Sequence, residues 1–372
     1  MKPMLIEQIE LYAVQLPLKS HFETSTGRAY HRDTILVRIR DDGAEGWGES
    51  PIEDGPWYSP ETLETAWHVQ RDFLIPLLLG QEIESASQAF ARMDRVRGHN
   101  MAKTGLEEAL WDLEGRQKGL SVSHLLGGTR SQIESGVSVG IQDTVEELIE
   151  QVAGFLELGY RRIKIKIKPG WDVEIVRALR DKWPDVPLMV DANSAYTLAD
   201  ADHLAGLDAF NLLMIEQPLA HDDLYEHSLL QRRLRTPICL DESIATVADA
   251  QAALALGSGR IINIKPGRVG GLEEAKRIHD LCLAREVPVW CGGLLEVGVG
   301  RAHNVAIASL PGYTLPGDVS ASARYFDRDV VTSPIALNSD GTIDVPSGPG
   351  IGVEIDERFL AQVTERYQQF RA

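Results

Sequence analysis

The sequence predicts an α/β protein whose larger part is a (β/α)8 TIM-type barrel, and three observations carry that expectation. From residue 129 onward, short apolar runs alternate with amphipathic stretches of helical length, the rhythm of parallel βαβ units. The runs end near positions 141, 166, 191, 216, 241, 265, 292 and 318, a step of about 25 residues that suits eight equivalent strands in a ring. An open doubly wound sheet would show less even spacing and a Gly-rich phosphate loop after its first strand, and no G-x-G-x-x-G stands there.

Taken in order, residues 1–128 read as a separate α+β piece. Ile6–Leu16 and Thr34–Arg40 are strand-like, and Asp41-Asp42-Gly43 makes a hairpin turn before Gly46-Trp47-Gly48-Glu49. Helices are expected over Pro60–Leu79, Ser85–Arg97 and Ala102–Lys118, and Gly127-Gly128 marks a break. Residues 129–321 carry the barrel strands at Gly136–Ile141, Arg162–Ile167, Leu188–Val190, Leu212–Ile215, Ile238–Leu240, Ile261–Ile264, Val287–Trp290 and Tyr313–Leu315. Between them lie helical segments, the first opened by the capping-box pattern Thr144-Val145-Glu146-Glu147 and the last four by Leu224, Val247, Leu272 and Arg301. Residues 322–372 are irregular, with a Gly/Pro-rich turn at Pro346–Gly352 and a helix near Glu357–Phe370, and return to the N-terminal piece.

Composition excludes several classes. The 372 residues carry a net charge of −18, which argues against a phosphate-binding surface for nucleic acid or anionic membrane. The start meets acidic residues before any signal-like apolar run, and the apolar stretch Phe73–Leu79 is far short of a membrane span. Cys239, Cys282 and Cys291 are odd in number and lack zinc-like spacing, so a reducing cytoplasm is expected, with the cysteines as small core hydrophobes. The expected partners are a small-molecule carboxylate substrate and further copies of the chain in a homo-oligomer.

Five consecutive strands end in an ionisable residue: Lys166, Asp191, Glu216, Asp241 and Lys265. Charges so close to a core are costly unless paired or metal-bound. As capping residues at βα turns, single carboxylates would be unremarkable in chemistry. Three on neighbouring strands would instead repel and raise one another's pKa, and an all-oxygen set favours one Mg²⁺ or Mn²⁺ per site. Lys166 and Lys265 stand four strands apart in the ring and so face each other across its mouth. A substrate carboxylate on the metal would place its α-carbon between them, with the ene-diolate stabilised by the cation and a lysine as base. Such a base must be neutral, and the cation together with Lys164 would lower its pKa. Lys164, Lys166 and Lys168 alternate with isoleucines and share one side of their strand; Lys168, past the strand end, is read as structural.

These residues resemble a known family. The set Lys164-x-Lys166, Asp191, Glu216, Asp241 and Lys265 is similar to the enolase superfamily in its muconate-lactonising-enzyme-like subgroup. Asp191-Ala192-Asn193, Ile215-Glu216-Gln217-Pro218, Asp241-Glu242-Ser243, Lys265-Pro266-Gly267-Arg268 and Gly317-Asp318-Val319-Ser320 look most like the o-succinylbenzoate synthase / N-succinylamino acid racemase family. The resemblance implies an N-terminal capping domain, completed by the C-terminal tail, over the barrel mouth. It implies Lys166 as the base of a syn-dehydration to o-succinylbenzoate, a step towards menaquinone, with Lys265 as a charge-stabilising cation. It also implies both lysines as the two bases of N-acylamino acid racemisation. Arg268 matches a position associated with the racemase branch, so racemase (isomerase) activity with synthase (lyase) activity as companion is expected. Phe22, Trp57, Tyr58 and Asn193 are the further substrate contacts implied, on the loops Ser20–Gly27 and Ile52–Tyr58 and after strand 3.

Other members fit less well. Mandelate-racemase-like enzymes carry a histidine near strand 7, where Pro288–Gly293 has none, and dipeptide epimerases show Asp-x-Asp where Asp318-Val319-Ser320 stands. A Schiff-base aldolase would use Lys265 but leave the carboxylates idle. A non-enzymatic binding barrel has no need of two opposed lysines.

Overall fold

The computed structural model describes residues 3–41, 43–53 and 55–372. Its N-terminal part is an antiparallel sheet of β1 (Gln8–Glu23), β2 (Arg28–Asp41) and β3 (Ala44–Ser50), covered by α1 (Leu63–Val69), α2 (Ala86–Met93) and α3 (Asn100–Lys118). Of the expected hairpin turn, Asp42 lies outside the described residues, while Gly43 takes the left-handed φ of 82° that a tight turn requires.

The barrel strands are β4 (Gly136–Val139), β5 (Arg162–Lys166), β6 (Leu188–Asp191), β7 (Ile215–Glu216), β8 (Ile238–Leu240), β9 (Ile261–Ile264) and β10 (Val289–Cys291), parallel and hydrogen-bonded in chain order. Each is followed by a helix: α4 (Val145–Glu157), α5 (Val173–Lys182), α6 (Ala201–Ala205), α7 (Tyr225–Gln231), α8 (Val247–Leu256), α9 (Leu272–Leu283) and α10 (Gly298–Ala308). Local chemistry starts these helices where the sequence indicates. The Thr144 hydroxyl accepts from the Glu147 amide at 3.2 Å, and Thr246 does the same for Asp249.

Three elements differ from expectation, each for a physical reason. The eighth strand shrinks to bridges of Tyr313 with Val289 and of Gly317 with Ser135, which still close the ring. Pro311 and Pro316, with no N–H to donate, keep this segment from forming a longer ladder. The segment at Leu198–Phe210 breaks into short turns around α6, with Asn211 at φ 48° ending it. The C-terminal helix α11 stops at Val363, and Thr364–Arg371 forms β11, paired antiparallel with β1. There Tyr367 donates to Glu10 at 2.6 Å and stacks obliquely on Tyr12 at 5.0 Å, contacts with a distant strand that outweigh local helix preference.

Alternation along the strands sets up the interior. Met189, Met214, Cys239, Ile261 and Trp290 form one inward layer of the barrel, with Ile261 at 5% the most exposed. Two residues further along their strands, on the same side, stand Asp191, Glu216, Asp241, Asn263 and Gly292. The apolar layer is thus a floor under a charged one. All three cysteines are free and buried, and burial pushes their thiols up, Cys282 to about 12, as suits core packing. No helix among the described residues is long and apolar enough to cross a membrane.

The N-terminal part docks on the barrel by capping two of its helices. Glu49 on β3 accepts from the amides of Val297 (3.1 Å) and Gly300 (2.8 Å) at the start of α10. Glu107 on α3 accepts from Leu272 (2.8 Å) and Glu273 (2.9 Å) at the start of α9. His303 of α10 lies fully buried at this junction, its Nε2–H donating to the Trp47 carbonyl at 2.9 Å. Burial pushes its pKa down to about 4. The sign follows from a depressed folded pKa: the contribution is intact above the unfolded value near 6.5 and is lost as pH falls towards 4. Between pH 7.5 and 4.5 the protein should therefore lose on the order of 2–3 kcal/mol through this group. Denaturant titrations at the two pH values check it: His303→Gln should show a correspondingly smaller acid loss, and equal losses would refute the assignment.

Candidate active site

Register brings the strand-end charges into one layer. Lys166 pairs with Asp191 across β5 and β6, and Asp191 pairs with Glu216 across β6 and β7. Asp241 follows β8 two residues beyond Cys239, the partner of Glu216. Asp191, Glu216 and Asp241 are each 0% exposed. Their backbones are bent for the purpose: Asn193, Ser194 and Gln217 adopt positive φ just after β6 and β7. Gln217 Oε1 accepts from the Asp241 amide at 2.9 Å, tying the ends of β7 and β8 together.

Cations answer the carboxylates from both walls. Lys166 Nζ donates to Asp191 Oδ2 and to Asn193 Oδ1, both at 2.6 Å. Lys164 Nζ lies among Glu216 (2.9 Å), Asp191 (3.3 Å) and Asp318 (2.5 Å), and 4.9 Å above the Trp290 ring. On the opposite wall Lys265 Nζ meets Asp241 Oδ2 at 2.7 Å and the Tyr58 hydroxyl at 3.1 Å. Asn263 Nδ2 donates to Glu216 Oε1 at 2.7 Å. Gly292 is needed beside them, because a Cβ there would come within 2.6 Å of Lys265 Cε and 2.3 Å of Asn263 Oδ1.

The electrostatics favour a bound cation. Burial, then the nearby Asp191, push Glu216 up to about 8. Glu242 is likewise pushed to about 8 by burial and Asp241, and its Oε2 has no hydrogen-bond partner among the described residues. For Asp191, held down at about 2, burial is outweighed by Lys166 and Lys164. Lys265 departs from the lowered pKa expected of a base: burial alone would depress it, but Asp241 and Tyr58 hold it well above the ordinary lysine value. Paired with Asp241, this lysine is a cation. Among the described residues no three His, Cys, Asp or Glu side chains converge as a ready-made metal group; the carboxylates pair instead with Lys166, Lys265 and Arg268. The donor set nonetheless fits a hard cation, with adjacent strand-end carboxylates, like-charge strain and an orphaned carboxylate oxygen.

Above this layer opens a cavity of about 540 Å³ whose walls include Phe22, Trp57, Tyr58, Lys166, Asn193 and Lys265. Both parts of the chain build it: Ser25 donates to the Asn193 carbonyl at 3.0 Å, and Tyr58 donates to Asp241 Oδ1 at 3.0 Å. Arg268 does not line it. Sitting in the first turn after Lys265, it is taken up by Asp241 and by the carbonyls of Ile244 (2.7 Å) and Asn263 (2.6 Å), with Nη1 3.4 Å from the Tyr58 hydroxyl. Lys168 turns away to Glu23 at 3.2 Å.

Helix α3 of the N-terminal part grips the turn that carries Lys265. Asn100 donates to the carbonyls of Arg268 (3.0 Å) and Ala245 (3.2 Å), and Thr104 to that of Pro266 (3.2 Å). Several contributors escaped sequence reasoning. Asn263 and Arg162 share inward parity with Lys265 and Lys164, a signal that could have found them. Arg162 holds Asp318 at 2.7 Å and so orients the partner of Lys164.

Comparison with known proteins follows the same outline. Residues 8–127 match the family described as mandelate racemase / muconate lactonizing enzyme, N-terminal domain, and residues 147–359 match the one described as enolase C-terminal domain-like. The chain is 55% identical over 366 residues to an o-succinylbenzoate synthase of Geobacillus stearothermophilus, covering 98% of this chain and 96% of that one. It is 50% identical over 362 residues to an N-succinylamino acid racemase of Amycolatopsis sp., covering 97% and 98%. A solved enolase-superfamily member from Listeria innocua superposes with a TM-score of 0.95 at 39% identity, over 99% of each chain.

Proposed function

We propose, for a chain that belongs to the mandelate racemase / muconate lactonizing enzyme branch of the enolase superfamily, a reaction that begins by removing a proton α to a substrate carboxylate. The observation that carries this is the placement of Lys166 and Lys265 on opposite walls of one cavity, each beside a strand-end carboxylate. Enzymes of this superfamily generally use a divalent metal. Asp191, Glu216 and Asp241 are the residues that would hold it here, with Mg²⁺ or Mn²⁺ preferred by an all-oxygen set. Bound there, it would stabilise the negative charge that develops on the substrate carboxylate as the α-proton leaves.

The chain's own groups do the rest. Lys166, released from Asp191 as the neutral amine, takes the proton at Nζ and becomes an ammonium. Lys265 faces the other side of the same carbon, and as an ammonium it stabilises the negative charge from there. Asn193 and Glu242 orient Lys166 through the 2.6 Å and 2.9 Å contacts that link them. Tyr58 shields Lys265 from solvent, its ring 4.4 Å from Nζ.

The synthase relatives favour dehydration to o-succinylbenzoate as the main activity, with Lys166 as the single base. The opposed lysines and the racemase relative favour a second activity, racemisation of N-succinylamino acids, in which each lysine serves one face. This shifts the emphasis from the racemase suggested by Arg268 towards the synthase, within one shared first step. Following an N-succinylamino acid by NMR in D₂O tests that step. The α-proton signal should vanish with turnover, and turnover that leaves product unlabelled would overturn it. The same preparation, offered the dehydration substrate, gives the ratio of the two kcat/KM values.

A further inference from the structure

Four lysines and arginines line the 540 Å³ cavity: Arg28, Arg32, Lys166 and Lys265. Three are answered by the protein itself. Arg28 is held by Glu23 (2.6 Å) and Asp143 (2.7 Å), and the lysines by Asp191 and Asp241. Arg32 is the exception. It is 4% exposed, and its Nε and Nη2 have no hydrogen-bond partner among the described residues. Those two atoms form the side-on edge of the guanidinium, the fork that matches a carboxylate bidentately. Glu49 is close enough to feel this charge, but its oxygens are taken by Thr34 and by the amides of Val297 and Gly300. A buried guanidinium edge at a cavity wall with no partner among the described residues is costly, and an acceptor that arrives with a ligand removes the cost.

We propose that Arg32 is a second anion subsite of this cavity, taking the distal carboxylate of a substrate's succinyl arm while the reacting carboxylate lies towards Lys166 and Lys265. This rests on the α-proton chemistry and succinyl substrates proposed above. Arg32 stands on β2, in the N-terminal part, where its backbone pairs with Leu16 of β1. Recognition of the acyl arm thus falls to the N-terminal part and chemistry to the barrel.

The test compares N-succinylphenylalanine with its terminal amide, an uncharged analogue of the same shape, by α-proton exchange in D₂O. Arg32→Met should lower kcat/KM for the acid on the order of 30-fold or more, the cost of truncating a charge-paired contact. The amide should change by no more than about twofold, so the preference for acid collapses. Arg32→Lys, which keeps the charge but not the fork, should fall between. Equal losses on both substrates, or an undiminished preference, would overturn the subsite. Calorimetric binding of glutarate separates this from the chemistry, because it needs no turnover. It should weaken at least about 10-fold in Arg32→Met, and unchanged binding would also overturn the subsite. Exchange of neither substrate by the unsubstituted protein would refute the α-proton chemistry alone, with glutarate binding still deciding Arg32.

Discussion

Replacing Lys166 or Lys265 by alanine should each lower racemisation of an N-succinylamino acid by about 10²–10⁴-fold, the range a positioned acid–base group contributes. The two losses should not be alike in detail. With Lys265 removed, Lys166 still reaches one face of the α-carbon, so one enantiomer should exchange its α-proton for deuterium without inverting. With Lys166 removed, the opposite enantiomer should do so. The same Lys166→Ala substitution should suppress dehydration, because that reaction has the one base. Exchange monitored by NMR for each pure enantiomer, with inversion followed by polarimetry, gives the four rates. Racemisation at the unsubstituted rate in either variant would defeat the two-base scheme. Loss of exchange from both enantiomers in both variants would show the lysines acting as a unit rather than by face.

The second large effect is expected at Asp241. Its carboxylate faces Lys265 at 2.7 Å and also Arg268 and Tyr58, so Asp241→Asn leaves two buried cations confronting each other. Removing one partner of such a buried set costs about 3–5 kcal/mol, and the melting temperature should drop accordingly. The diagnostic result is a difference rather than the drop itself. A divalent cation that binds only the folded state should stabilise the unsubstituted protein by about 2.7 kcal/mol at a hundredfold excess over its dissociation constant. Asp241→Asn should lose that cation-dependent rise in melting temperature together with activity. A variant that keeps the full rise, or full turnover that EDTA abolishes, would remove Asp241 from the cation site.

Legibility from sequence divides along a physical line. Features set by strand periodicity were readable: a step of about 25 residues locates Lys166, Asp191, Glu216, Asp241 and Lys265, and alternation places them on the inward side. The family followed from the short motifs around those strand ends. Features set by where a long side chain turns, or by contact between distant segments, were not readable. Arg268 has the spacing of a substrate contact, yet two backbone carbonyls and Asp241 occupy its guanidinium, and it does not line the cavity. Glu49 and Glu107 look like ordinary strand and helix carboxylates until docking places them over the starts of α10 and α9. Arg32 sits in a polar stretch, Tyr30-His31-Arg32-Asp33, that gives no hint of its burial. The β11 segment contains both helical and alternating patterns, and only the open edge of β1 decides between them.

The pairing of β11 with β1 also puts a delay into biosynthesis. The β1 edge from Gln8 to Val14 leaves the ribosome early, and its partner, Thr364–Arg371, follows roughly 350 residues later. At about 5–20 residues per second that interval is on the order of 20–70 seconds. For that time the nascent sheet carries an open strand, the kind of edge that invites pairing with other chains. Glu10, a charge in the middle of that edge, is a device nature uses against such pairing, and it becomes the anchor for Tyr367 once the last strand arrives.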